Sequence, residues 1–130
     1  MIVLDASAAI EWLLNTPAGS QVRKRISTAG NLCHAPTLLD LEVVSALRRL
    51  ERAKGVSSTR AEEAVADLLT LPIVRHAHHR YLGPVWALRN NFTPYDAVYL
   101  ALADALSCPV LTLDRKFMPA VAQGIAVEFI

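Results

Sequence analysis

The chain has 130 residues, enough for one domain with a sizeable buried core, and its 53% apolar residues exceed the usual share. The net charge of +1 excludes a large uniform electrostatic field, and the apolar surplus implies either a thoroughly buried sheet or surface kept for another protein chain. Cys33 and Cys108 are too few for a disulfide framework and match no zinc spacing, so they read as small buried hydrophobes in a reducing cytosol. No apolar run approaches the roughly 20 residues of a bilayer span, and no basic region precedes the first apolar run. A soluble cytoplasmic domain with no membrane partner is expected.

In chain order, Ile2 to Leu4 reads as a buried strand, followed by a short helix over Ser7 to Leu14 with Ser7 as its N-cap. Thr16 to Gly19 reads as a turn, Ser20 to Ala29 as a helix, and Asn31 to Ala35 as a second strand. Thr37 to Lys54 is the strongest helical pattern, with Leu38, Leu41 and Leu47 on one face and Gly55 as its stop. A helix over Ser58 to Thr70 leads to a short strand at Ile73-Val74. His78 to Asn90 reads as a helix interrupted at Gly83-Pro84, and Thr93-Pro94 opens a helix running to about Ser107. Val110 to Leu113 forms a fourth strand, Asp114 starts a short helix, and Val127 to Ile130 forms a closing edge strand. Strands alternating with helices, without hairpin signals, predict an α/β domain: one parallel sheet sandwiched between helices.

Four acids stand out by position. Asp5 and Asp114 each end an apolar strand, Glu42 lies within Leu41-Glu42-Val43-Val44, and Asp96 opens the apolar run Ala97-Val98-Tyr99-Leu100. Strand ends are where open α/β sheets place their chemistry, and an acid in apolar surroundings needs a cation or hydrogen bonds. One hard divalent cation held by several carboxylates would satisfy all four. Each also has a plainer account. Asp5 and Asp114 precede helices as N-caps do, and Thr93-Pro94-Tyr95-Asp96 fits a capping box. Glu42 is harder to dismiss, because a mid-helix acid caps nothing, although a snorkelling side chain is an alternative. Asp40 lies about 200° around the helix from Glu42 and fits a capping box with Thr37, so it is assigned a structural role.

These stretches resemble the PIN-domain ribonucleases, and among them the VapC toxins of prokaryotic toxin–antitoxin pairs. The resemblance rests on four segments in order: Val3 to Ser7, Leu41 to Arg49, Thr93 to Ala103, and Val110 to Phe117. It covers essentially the whole chain. It implies that Asp5, Glu42, Asp96 and Asp114 are the catalytic acids and bind Mg²⁺ or Mn²⁺, with the hydroxyls of Ser7 and Thr112 beside the metal. The implied activity is a metal-dependent endoribonuclease that cuts RNA, in transfer or ribosomal RNA, to leave a 5′-phosphate and a 3′-hydroxyl. It also implies a homodimer and a cognate VapB-type antitoxin. Some relatives carry a further acid just after the last aspartate, where this chain has Arg115, Lys116 and Phe117. Carboxylates plus substrate phosphate suit Mg²⁺, whose charge acidifies a bound water and opposes charge on the phosphodiester. The sequence does not choose between one ion and two.

Arg23, Lys24, Arg25, Arg48, Arg49, Arg52 and Lys54 give the first half a positive excess suited to a phosphate backbone, or simply solvated helix faces. Arg115 and Lys116, adjacent to Asp114, are the preferred substrate contacts. His76, His78 and His79 read as surface histidines, because sites for Mg²⁺ favour oxygen. Two competing functions remain. One is a PIN-like module that binds RNA or a partner without cleaving it. The other, a receiver-type phosphotransfer domain, needs a paired acid near the start, where Asp5 has Ala6 beside it.

Overall fold

The computed structural model describes residues 1–130. Its first strand, β1 (Ile2–Leu4), is wholly buried and sits at the centre of a five-stranded parallel sheet in the order β3-β2-β1-β4-β5. The other strands are β2 (Cys33–Pro36), β3 (Ile73–His76), β4 (Val110–Thr112) and the edge strand β5 (Val127–Phe129). Seven helices connect them: α1 (Ala6–Leu13), α2 (Pro17–Thr28), α3 (Leu38–Arg52), α4 (Ser58–Thr70), α5 (Leu82–Ala87), α6 (Pro94–Ala105) and α7 (Met118–Ala122). None is long and apolar enough to cross a membrane.

From β1 the chain winds outward through β2 to β3, then returns to β4 on the other side of β1 and winds outward again to β5. Right-handed crossovers therefore put α1 to α4 on one face and α5 to α7 on the other. The packing agrees: α1 touches α2, α3 and α4, whereas α6 touches α5 and crosses β1, β2 and β4. The direction of winding switches between β1 and β4, so the C-terminal ends of those two strands form the crevice. Val3 pairs with Val110 and Leu4 with Leu111, which carries Asp5 and Thr112 to the same level.

Local details depart from the sequence expectations in instructive ways. The cap of α1 is Asp5, whose carboxylate accepts the Ser7 N–H; Ser7 itself is helical. Thr16 to Gly19 is not a separate turn but the start of α2, with Thr16 as N-cap and Pro17 at the first position. In α3, Thr37 makes no side-chain cap, and Asp40 accepts from Arg75 Nε at 2.8 and 3.0 Å, tying α3 to β3. The left-handed residue after α3 is Lys54 (φ 59°), so that the Gly55 N–H reaches the Leu50 carbonyl at 2.8 Å. The segment expected as one kinked helix is a 3₁₀ turn (His78–Tyr81) followed by α5, with Pro84 in the first turn of α5, where no helical N–H is needed.

Both cysteines are free and buried, and burial pushes the Cys33 thiol up to about 12. Histidines on adjacent strands also meet: His34 Nδ1 lies 2.9 Å from His76 Nε2, and the buried Nε2 of His34 has no partner. Burial, then the charge of His76, lowers the His34 pKa. Its unfolded value is about 6.5, so below that pH the unfolded chain binds more protons and the fold loses stability. Between pH 7.5 and 5.5 the wild type is expected to lose melting temperature that His34→Leu retains, read from paired thermal melts.

Gly19 is fixed by packing. A Cβ there would lie 2.0 Å from the Glu11 carbonyl oxygen and 2.5 Å from its carbon, because α2 starts directly against α1. Backbone cannot yield as a flexible side chain does. Gly19→Ala is expected to cost about 1–3 kcal/mol in urea unfolding, whereas at an ordinary helix position Ala would stabilise.

Candidate active site

Asp5 leaves β1 with only 2% of its surface exposed. Its Oδ2 accepts three hydrogen bonds: from Ser7 Oγ (2.7 Å), Thr112 Oγ1 (2.8 Å) and the Ser7 N–H (3.3 Å). Each hydroxyl has one proton to donate and spends it on Asp5. Each then accepts a backbone N–H in return, Ser7 from Leu113 (3.0 Å) and Thr112 from Asp114 (2.9 Å). One carboxylate oxygen is thereby saturated, and Oδ1 has no partner within the chain. Simple N-capping needs only the backbone bond, so the two hydroxyls hold this carboxylate for more than a cap.

Glu42 approaches from α3, half-buried, and its Oε2 accepts the Tyr99 hydroxyl at 2.6 Å. Burial raises the Glu42 pKa, the Tyr99 hydrogen bond opposes that rise, and the charge of Asp5 adds to it. Tyr99 is fully buried on α6, its ring edge-on to Phe117 with centroids 6.5 Å apart. Burial first, and then the Glu42 charge, keep its hydroxyl protonated well above the usual tyrosine range.

Asp96 lies in the first turn of α6, where Thr93 Oγ1 accepts its N–H at 3.3 Å. Its carboxylate returns no bond to Thr93 and pairs instead with Lys116 Nζ at 2.8 Å, so the capping box is only half formed. Asp114 does both jobs: Oδ1 accepts the Lys116 N–H at 2.9 Å, and Oδ2 lies 3.3 Å from Lys116 Nζ. Asp5, Ser7, Glu42, Asp114 and Lys116 line an open cleft of about 660 Å³, together with Arg49. Asp96 joins the cleft through Lys116.

The structure thus brings together the four acids, both hydroxyls and Lys116. Arg115 turns away, its guanidinium 4.6 Å from the Phe129 ring centroid, and is absent from the cleft wall. Among the basic helix residues, Arg25 is paired with Glu128 at the far edge of the sheet, and only Arg49 lines the cleft. Sequence reasoning gave Tyr99 no role beyond its place in an apolar run, although its position one helical turn after Asp96 puts both on one side of α6.

The donor set is all oxygen, carboxylate with one oxygen of Asp5 to spare, and suits a hard divalent cation. The acids are not drawn together as a finished ligand cage: no three His, Cys, Asp or Glu side chains converge on one point. The positive charge among them is the Lys116 ammonium.

A PIN domain model matches residues 2–122. The chain belongs to the PIN-domain family. Over 130 residues, all of this chain and 99% of the relative, it is 35% identical to Ribonuclease VapC12 of Mycobacterium tuberculosis. Its fold matches the crystal structure of VapBC2 from Rickettsia felis bound to a promoter DNA fragment, with a TM-score of 0.72, 11% identity, and coverage of 99% of this chain and 98% of that one. It also matches M. tuberculosis VapC20, a sarcin-ricin loop cleaving toxin, at TM-score 0.67 and 15% identity, covering 92% and 95%. At such identities these two structures speak to the fold alone. The PIN-domain assignment agrees with the parallel sheet and with the crevice at the ends of β1 and β4.

Within this PIN domain the Tyr99 hydroxyl has one evident task, to hold Glu42. Tyr99→Phe keeps the ring contact with Phe117 and removes the donor. It is expected to cost about 1.5–3 kcal/mol of stability, the worth of a hydrogen bond to a charged group. RNA-cleavage rates are expected to drop about tenfold, equivalent to about 1.4 kcal/mol. Denaturant unfolding and cleavage assays on the same preparation check both.

Proposed function

We propose that this chain is the toxin of a toxin–antitoxin pair, an endoribonuclease that hydrolyses RNA phosphodiester bonds at the cleft of Asp5, Glu42, Asp96 and Asp114. The observation that carries the proposal is the nearly buried Asp5 carboxylate, held at one oxygen by two hydroxyls and left free at the other. Asp5, Asp96 and Asp114, with Glu42, would hold Mg²⁺ or Mn²⁺. When bound, that ion supplies an acidified water and a positive charge against the phosphodiester. Ser7 and Thr112 fix the Asp5 carboxylate, and Tyr99 fixes Glu42, so neither acid must reorganise when substrate arrives. Arg49 stands on the cleft wall as a phosphate contact, and Lys116 is within reach of the same phosphate; Arg115 is a less direct contact from its seat on Phe129. Transfer or ribosomal RNA is the substrate class, with a 5′-phosphate and a 3′-hydroxyl on the products.

The partners follow the same reading. Exposed Leu82, Trp86 and Tyr95 gather on α5 and the start of α6 as an apolar face for a second copy of the chain. A groove between α3 and α4, lined by Val44, Leu47 and Val65 with Arg48 and Glu62 at hand, suits a VapB-type antitoxin segment. The free cysteines fit a reducing cytoplasm. The alternative is a PIN-like module that binds RNA or a partner without cleaving it.

Incubating the partner-free protein with total cellular RNA and Mg²⁺ or Mn²⁺ separates the two readings. Discrete fragments are expected that disappear with chelator, and Asp96→Asn is expected to slow their formation about a hundredfold or more, the scale of losing one charge-stabilising group. Intact RNA that still binds both proteins, under either metal, would replace the enzyme with the binding module.

A further inference from the structure

Lys116 is aimed at the acids by its surroundings. Its backbone N–H is held by Asp114, and the next residue, Phe117, is fully buried against Tyr99. The side chain is part-exposed, and its Nζ sits between Asp96 (2.8 Å) and Asp114 (3.3 Å). The lysine ammonium thus stands as a positive charge between two carboxylates. Four acids around one cleft repel one another, and that repulsion is relieved by a proton on one of them or by a cation among them.

From this geometry we infer that Lys116 is a built-in counter-cation that bridges Asp96 and Asp114 and must release them before a divalent ion can bind both. The inference rests on the reading of the quartet as a metal site and adds its regulation. A metal bound by Asp96 and Asp114 competes with an ammonium already bonded to both oxygens. Metal affinity is therefore set lower than the acids alone would give, and the metal-free protein is spared the full repulsion of its own carboxylates. Once displaced, the ammonium stays at the cleft on a flexible stem, free for a substrate phosphate.

The test is Mn²⁺ binding to the purified chain, without RNA, by titration calorimetry, together with thermal melts. Three proteins are compared: wild type, Lys116→Gln, and Arg49→Gln as a control that removes a cleft charge bonded to neither acid. Lys116→Gln is expected to bind Mn²⁺ about three- to fivefold more tightly, on the scale of a partly exposed ion pair lost to competition. Its metal-free form is expected to melt below wild type, with the gap closing at saturating Mn²⁺. Arg49→Gln is expected to change affinity by less than about twofold, the residue of a screened charge. Wild-type binding that Lys116→Gln leaves equal or weaker overturns the inference while the metal site stands, as does equal tightening by Arg49→Gln, which would mark a general field effect. If neither wild type nor Lys116→Gln binds Mn²⁺, the metal reading fails and the inference with it.

Discussion

The cleft depends on one carboxylate taken almost wholly out of water. A buried acid is costly unless its oxygens find donors, and Asp5 finds them on two elements at once. Ser7 comes from the helix that Asp5 caps, and Thr112 from the strand beside it. The arrangement works only because β1 and β4 are neighbours in register, Leu4 beside Leu111. The hydroxyls in turn pin the backbone after β4, at Leu113 and Asp114. Asp114 is therefore positioned by the same network that holds Asp5, and a shift of either strand moves both acids.

Glu42 and Asp96 reach the crevice from opposite faces of the sheet, Glu42 on α3 and Asp96 on α6. The two helical layers are elsewhere separated by the strands. At the C-terminal end of β1 the sheet stops, and a side chain from each layer crosses the gap in the Tyr99–Glu42 hydrogen bond. That bond draws its strength from the same low-dielectric surroundings that raise the Glu42 pKa. The apolar character of α6, buried along Ala97 to Ala103, is thus part of the site's electrostatics as well as of the core.

Much of this was legible in the sequence, and the failures share a cause. Thr93-Pro94 announced α6 correctly because a cap and a proline act within one turn. Thr16-Pro17 carries the same signature, yet Ala18-Gly19 reads as a turn, since nothing local says that Gly19 must lie against the Glu11 carbonyl. Asp40 fits a capping box with Thr37, but its partner is Arg75 on β3, a pairing made by the fold. Tyr99 sits in an apolar run, and its hydroxyl has meaning only once Glu42 is opposite. The four acids were legible because acids at strand ends and in apolar helices are conspicuous wherever the chain folds. Their hydrogen-bond partners were legible only in part, Ser7 and Thr112 through the family resemblance.

Arg115 and Lys116 show the same limit at a single step. Adjacent in sequence and alike in charge, they point to different places because a 3₁₀ turn begins at Arg115 and Phe117 must be buried. Arg115 is left on the side of β5, where Phe129 offers its ring, while Lys116 is turned into the carboxylates. Burial of one aromatic side chain thus decides which of two cations meets the acids. A hydrophobic constraint here sets an electrostatic outcome, and the charge balance of the cleft follows from how Phe117 packs against Tyr99, the residue that also holds Glu42.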